Sequence, residues 1–324
     1  MIETPVEIIE DLHRARRLEW WTLASMASVI AVMAFAMGQS QAMRTAFIED
    51  LLSLVPAITF LIAARFEPRP PTERYAFGFV RVNSLAFLAS AVVLTVLGAL
   101  LLFEGLSTLV KQERPTIAPI ELFGHTVWLG WVMIAALAYS IAVPVVLGRI
   151  KLPIAKRLKD KVLHTDADMQ KADWQTGVAG IVGVLGVGLG FWWADAAAAA
   201  VIALSILKDG AGNMRSAAAE LLDSVPRALG TAHMAADARR LRERLQARWP
   251  DGHVRLRESG RYILANVGNV APPDDLPPLA SWMGQDEGWR LAQLSFTPPG
   301  CAIIDAGAGN DAGAATAKSE KAEE

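Results

Sequence analysis

Six stretches of this chain, near residues 20–37, 43–64, 83–109, 125–147, 167–190 and 192–208, are mostly apolar over about the length that a helix needs to cross a bilayer, roughly twenty residues at 1.5 Å each. A backbone in hydrocarbon must satisfy its own hydrogen bonds, so such stretches read as helices. Trp20, Trp21, Trp128, Trp131, Trp192 and Trp193 fall at or near their ends, where indole rings favour the headgroup layer. The composition agrees: 53% of the 324 residues are hydrophobic and 20% are charged, which excludes a disordered or collagen-like chain. The single cysteine, Cys301, excludes a disulfide scaffold. The net charge of −2 excludes a polyanion binder, so no nucleic-acid partner is expected. The reading is a polytopic α-helical membrane protein with lipid neighbours.

Basic residues in short connections set the orientation of such a bundle. Arg14, Arg16 and Arg17 precede the first stretch, Arg65, Arg69, Arg74 and Arg81 follow the second, and Arg149, Lys151, Lys156, Arg157, Lys159 and Lys161 follow the fourth. The alternate connections hold only Arg44, Lys111 and Arg114. Thirteen against three places both termini in the cytoplasm after six spans, in a plasma or inner membrane. No cleavable leader is expected, because the first 19 residues are charged and mildly amphipathic.

The expected organisation is a cytoplasmic segment 1–19, a six-helix membrane domain 20–212, a cytoplasmic α+β domain 213–300 and a disordered tail 301–324. In the soluble part, residues 231–248 read as an amphipathic helix with Met234, Ala238, Leu241 and Leu245 on one face. His253–Arg257 and Arg261–Val267 read as two strands joined by a hairpin, Leu279–Met283 as a short helix and Trp289–Thr297 as a third strand, giving an αββαβ order. The tail is mostly Ala, Gly, Lys and Glu and has no core to bury.

Ionisable residues inside spans are costly and point to function. The second stretch holds Glu49 and Asp50, the third holds Glu104, and Asp166, Asp168, Lys171 and Asp173 fall at or in the fifth. Asp166, Gln170 and Asp173 follow i, i+4, i+7 spacing and share a helix face, and Glu49 and Ser53 share another. Converging carboxylates suit a hard or borderline divalent cation. Asp166 and Asp168 could instead cap the start of the fifth helix. His164 is a ligand or a cap, whereas His233 and His253 belong to the soluble part. The glycines from Gly177 to Gly190 read as close helix packing, because no strand–turn–helix surrounds them as a phosphate loop requires.

Phe77-Gly78 and Arg81 before Ser84-Leu85, Ala194-Asp195-Ala196, and Glu220-Leu221-Leu222-Asp223 are local matches through which the chain resembles the cation diffusion facilitators over about residues 15–300. Asp173 and Asp166 fall on the last and first Asp of that family's fifth-span pattern, Asp-x-x-His-x-x-x-Asp, with Met169 in place of the His. In the second span Glu49 takes the first position of (His/Asp)-x-x-x-Asp and Ser53 the second, with Asp50 as an extra acid. The resemblance implies a divergent branch with a ferredoxin-like cytoplasmic domain, a homodimer, and metal–proton antiport by alternating access. It implies no enzyme activity and no prosthetic group. The expected metal ligands are Glu49, Asp50, Asp166 and Asp173, with Ser53, Gln170 and His164 as auxiliaries. An oxygen-rich site favours Fe²⁺, Mn²⁺ or Co²⁺ over Zn²⁺, whose sites usually include N or S ligands. Two other readings stay open: a non-transporting, metal-responsive membrane scaffold or sensor, and an intramembrane hydrolase using two acids.

Overall fold

The computed structural model describes residues 4–36, 47, 50–112, 119–122, 125–231, 233–284 and 287–300. Glu49 and the tail 301–324 therefore lie outside the described residues. The chain forms two compact units: Met1–Ala235 with Glu258–Tyr262, and Ala236–Arg257 with Ile263–Glu324.

Unit 1 is built from helices α1 (Val6–Ala36), α2 (Leu54–Phe66), α3 (Val82–Lys111), α4 (Leu129–Leu158), α5 (Lys161–Gly188) and α6 (Ala194–Leu221). Among the described residues, α3 and α4 are long and apolar enough to cross a membrane by length and composition. The main pairings are α3 with α6, α4 with α5, α5 with α6, and α1 with α4. Glycine makes the first pairing possible. A methyl group on Gly98 would stand 2.6 Å from the Leu207 backbone nitrogen, and one on Gly210 would stand 2.8 Å from the Thr95 Cα. The two backbones touch there, as small residues allow in helix pairs. A short antiparallel ladder, β1 (Pro119–Leu122) with β2 (His125–Trp128), precedes α4, and β2 takes the start of the expected fourth apolar stretch.

The expected basic connection after the fourth span is corrected. Helix α4 contains Pro144 and Pro153 yet continues to Leu158, and it buries Lys151, Ile154, Ala155 and Leu158. Proline removes one backbone donor, and neighbouring helices can accommodate the gap. Only Lys159, with φ of 50°, and Asp160 separate α4 from α5. The Leu163 N–H donates to Asp160 Oδ1 at 2.9 Å, so Asp160 caps α5. Asp166 and Asp168 lie in the second turn and beyond, so their reading as caps is also corrected.

Unit 2 holds α7 (Ala236–Arg248), which buries Ala238, Leu241 and Leu245, and most of a sheet ordered β3 (His253–Ser259), β4 (Tyr262–Gly268), β5 (Leu291–Thr297). Exposure alternates along β4, with Ile263, Ala265 and Val267 buried, as a sheet covered on one face requires. β4 and β5 run parallel. The expected helix Leu279–Met283 is instead a 3₁₀ turn, Leu279–Trp282, and a second 3₁₀ turn, Gly288–Arg290, takes the start of the expected third strand. Prolines at 277 and 278 and Gly284 leave too few residues between them for α-helical propagation.

Candidate metal centre

Helix α5 supplies most of the candidate site. Starting at the Asp160 cap, its period carries Asp166, Gln170 and Asp173 down one face, and all three are buried. Thr176 Oγ1 donates to the Asp173 carbonyl at 3.0 Å, one turn further on. Met169 is completely buried in a cluster with Leu94, Leu97, Ala172, Ala203 and Ile206. Leu52, two residues from Asp50, packs against that same cluster. The helix that follows the Asp50–Ser53 turn, α2, packs against α5.

Asp50 and Ser53 are both buried, and Ser53 Oγ donates to the Asp50 carbonyl oxygen at 2.8 Å. That bond closes the turn before α2 and leaves the Asp50 carboxylate for other work. Asp50 Oδ2 has no hydrogen-bond partner among the described residues. A buried carboxylate oxygen without a donor is costly, and a cation or proton would relieve the cost.

Asp166 has a different environment. Lys151 Nζ donates to Asp166 Oδ2 at 2.5 Å and to Glu19 Oε2 at 2.8 Å, and Gln170 Nε2 donates to the same Asp166 oxygen at 3.1 Å. This buried triad joins α1, α4 and α5. The sequence reading missed two of its members, Glu19 and Lys151. The signal was present as helical spacing, because Lys151, Ala155 and Leu158 continue the buried face of α4 through the basic run. His164 Nδ1 lies 3.1 Å from Asp168 Oδ2 one turn along α5, which pairs those two with each other. Among the described residues, no group of three or more His, Cys, Asp and Glu side chains is assembled to hold a metal ion.

These positions give a substitution series on α5. Asp168 is partly exposed and lies against its helix neighbour His164, so Asp168→Asn is expected to change metal flux little. Met169→His adds an imidazole, a preferred zinc ligand, beside the Asp173 turn. Higher zinc affinity is expected in an equilibrium binding measurement; unaltered zinc binding would show that position 169 does not face the cargo path.

A second polar cluster closes unit 1. Lys161 Nζ donates to Glu220 Oε2 and Glu258 Oε2, each at 2.6 Å, and Ser84 Oγ donates to Glu220 Oε1 at 2.5 Å. Asn83 donates to Asp160 Oδ2 at 3.0 Å, Arg261 donates to Glu67, and the Arg261 Nε lies 3.5 Å from Asp160 Oδ2. Burial pushes the Glu67 carboxyl above the usual carboxylate range, and the Arg261 guanidinium opposes that shift.

Residues 21–222 match the cation efflux transmembrane domain family. The chain is 22% identical to the manganese efflux system protein MneS of Bacillus subtilis over 207 residues, which are 62% of this chain and 67% of that protein. It is 24% identical to the cation-efflux pump FieF of Yersinia enterocolitica over 158 residues, 49% of this chain and 50% of that protein. The chain thus spans between half and two thirds of the length of these relatives. Because the family match covers more than half of the chain and takes in Asp50, the α5 face and both buried networks' membrane-helix residues from Glu67 to Glu220, the chain belongs to the cation efflux family of membrane transporters.

Proposed function

We propose that this chain exports a divalent metal cation from the cytoplasm in exchange for protons, by alternating access, and acts as a homodimer. The observation that carries the reading is the pair of buried carboxylates, Asp50 beside α2 and Asp173 on α5, on adjoining segments within the family-matched region. Metal and H⁺ compete for such groups, because a carboxylate must be deprotonated to bind a metal, and that competition is a ready means of coupling. In this reading Glu49, Asp50 and Asp173 supply the cargo oxygens. Ser53 and Gln170 are neutral neighbours, Asp166 adds charge to the same helix face, and His164 stands further along it. An all-oxygen set suits Mn²⁺, Fe²⁺ or Co²⁺ better than Zn²⁺, and manganese is the cation in the name of one relative.

The test is flux into proteoliposomes across a panel of divalent cations, with and without a pH gradient. Metal uptake stimulated by an opposing proton gradient is expected. Uptake indifferent to the gradient would remove the antiport.

The six-span orientation makes a separate prediction. Cysteines placed at positions 40 and 118 should react with an impermeant thiol reagent from outside the cell, and one replacing the exposed Lys156 should react only after the membrane is opened. Outside labelling at 156 would overturn the orientation.

A further inference from the structure

Lys151, Glu19 and Asp166 have relative exposures of 0%, 0% and 1%. All three side chains are buried, so one ammonium balances two carboxylates in the interior of the helix bundle. The three residues come from three helices, α1, α4 and α5, and Gln170 adds a third hydrogen bond, within α5. Asp166 Oδ2 is held at 2.5 Å by the fully buried Lys151 ammonium, which a metal would have to displace to reach that oxygen, while Asp166 Oδ1 has no hydrogen-bond partner among the described residues. Asp166 also lies on the same face as Asp173, seven residues away, so whatever fixes the azimuth of Asp166 fixes that of Asp173.

We infer that Lys151 is a positioning residue. By holding Asp166 against Glu19 it sets the rotation of α5 about its own axis, and so the direction in which Asp173 faces the cargo; Asp166 serves as the handle on α5 and makes no contact with the ion. This inference rests on the transport reading above for the identity of the cargo site. It assigns a role to a lysine within the basic run that the sequence alone gives to membrane orientation.

The experiment uses the full chain, Mn²⁺ as the probe, and two readouts: steady-state flux in proteoliposomes and equilibrium Mn²⁺ binding in detergent. Lys151→Met leaves two buried carboxylates without their cation and is expected to raise the KM and Kd for Mn²⁺ by about tenfold, more than it lowers kcat. Lys151→Arg should restore much of that loss. The deciding variant is the neutral pair Lys151→Met with Asp166→Asn, which removes the stranded charge and should return KM and Kd most of the way to the parent values. It also replaces the single variant if Lys151→Met fails to fold. If Asp166 binds the ion, the neutral pair will be as deficient in Mn²⁺ binding as Asp173→Asn, and the inference is overturned. Equal loss of thermal stability in all variants with unchanged KM and Kd would reduce the triad to packing alone and also overturn it. Should the parent bind Mn²⁺ without transporting any cation, the transport reading fails, and the binding comparison still decides the role of Lys151.

Discussion

Asp173→Asn is expected to reduce metal-dependent flux to the background of empty vesicles while expression and folding persist. The amide keeps the size of the side chain and removes a buried negative charge, which relieves desolvation cost. What it removes is the anionic oxygen that a hard cation needs in place of its hydration shell. Losing one such ligand is expected to weaken binding tenfold or more, each decade being about 1.4 kcal/mol. Glu49→Gln should behave likewise. Proteoliposome uptake, paired with circular dichroism to verify folding, is the measurement, and uptake by Asp173→Asn comparable to the parent would refute the site.

Arg261→Met should be the most destabilising single change in unit 1. Arg261 is buried against Glu67 and Asp160, and its replacement leaves two buried carboxylates that have lost their shared cation. Breaking a buried pair in this way costs roughly 3–5 kcal/mol. The pH dependence has a definite sign. Burial already raises the Glu67 pKa above its ordinary value, and loss of the guanidinium raises it further. A carboxyl with a raised folded pKa binds its proton more readily folded than unfolded, so its penalty is full at high pH and fades as pH falls through the folded value. The Tm deficit of Arg261→Met should therefore be largest under alkaline conditions and shrink on acidification. A deficit that grows on acidification would show that Glu67 is not the group released.

The parts of this protein legible in its sequence are those governed by a single periodicity. The apolar stretches overlap α1 to α6, though α1 starts well before its stretch, and i, i+4, i+7 spacing placed Asp166, Gln170 and Asp173 on one buried face. Tertiary pairing was not legible. Lys151 stands among Arg149, Lys156 and Arg157, where charge counting assigns all of them to one connection; only the three-dimensional partners Glu19 and Asp166 distinguish it. Asp160 was overlooked as the cap of α5 because Asp166 and Asp168 compete for that reading in sequence, and the αL residue Lys159 that ends α4 carries no glycine signal. The β1–β2 ladder went unseen because four-residue strands at the edge of an apolar run leave too little alternation to detect.

The glycine seam between α3 and α6 bears on how such a bundle can work as a machine. Where Gly98 meets the Leu207 backbone and Gly210 meets that of Thr95, no side chain lies between the helices to swing aside, and a change of spacing would open a void with nothing to fill it. The two helices behave there as one stiff beam. Any stroke that turns a cargo site from one side of the membrane to the other must take its travel at joints with movable side chains, such as the one where Leu52 packs against the apolar cluster that holds Met169, while the beam itself is carried along undeformed.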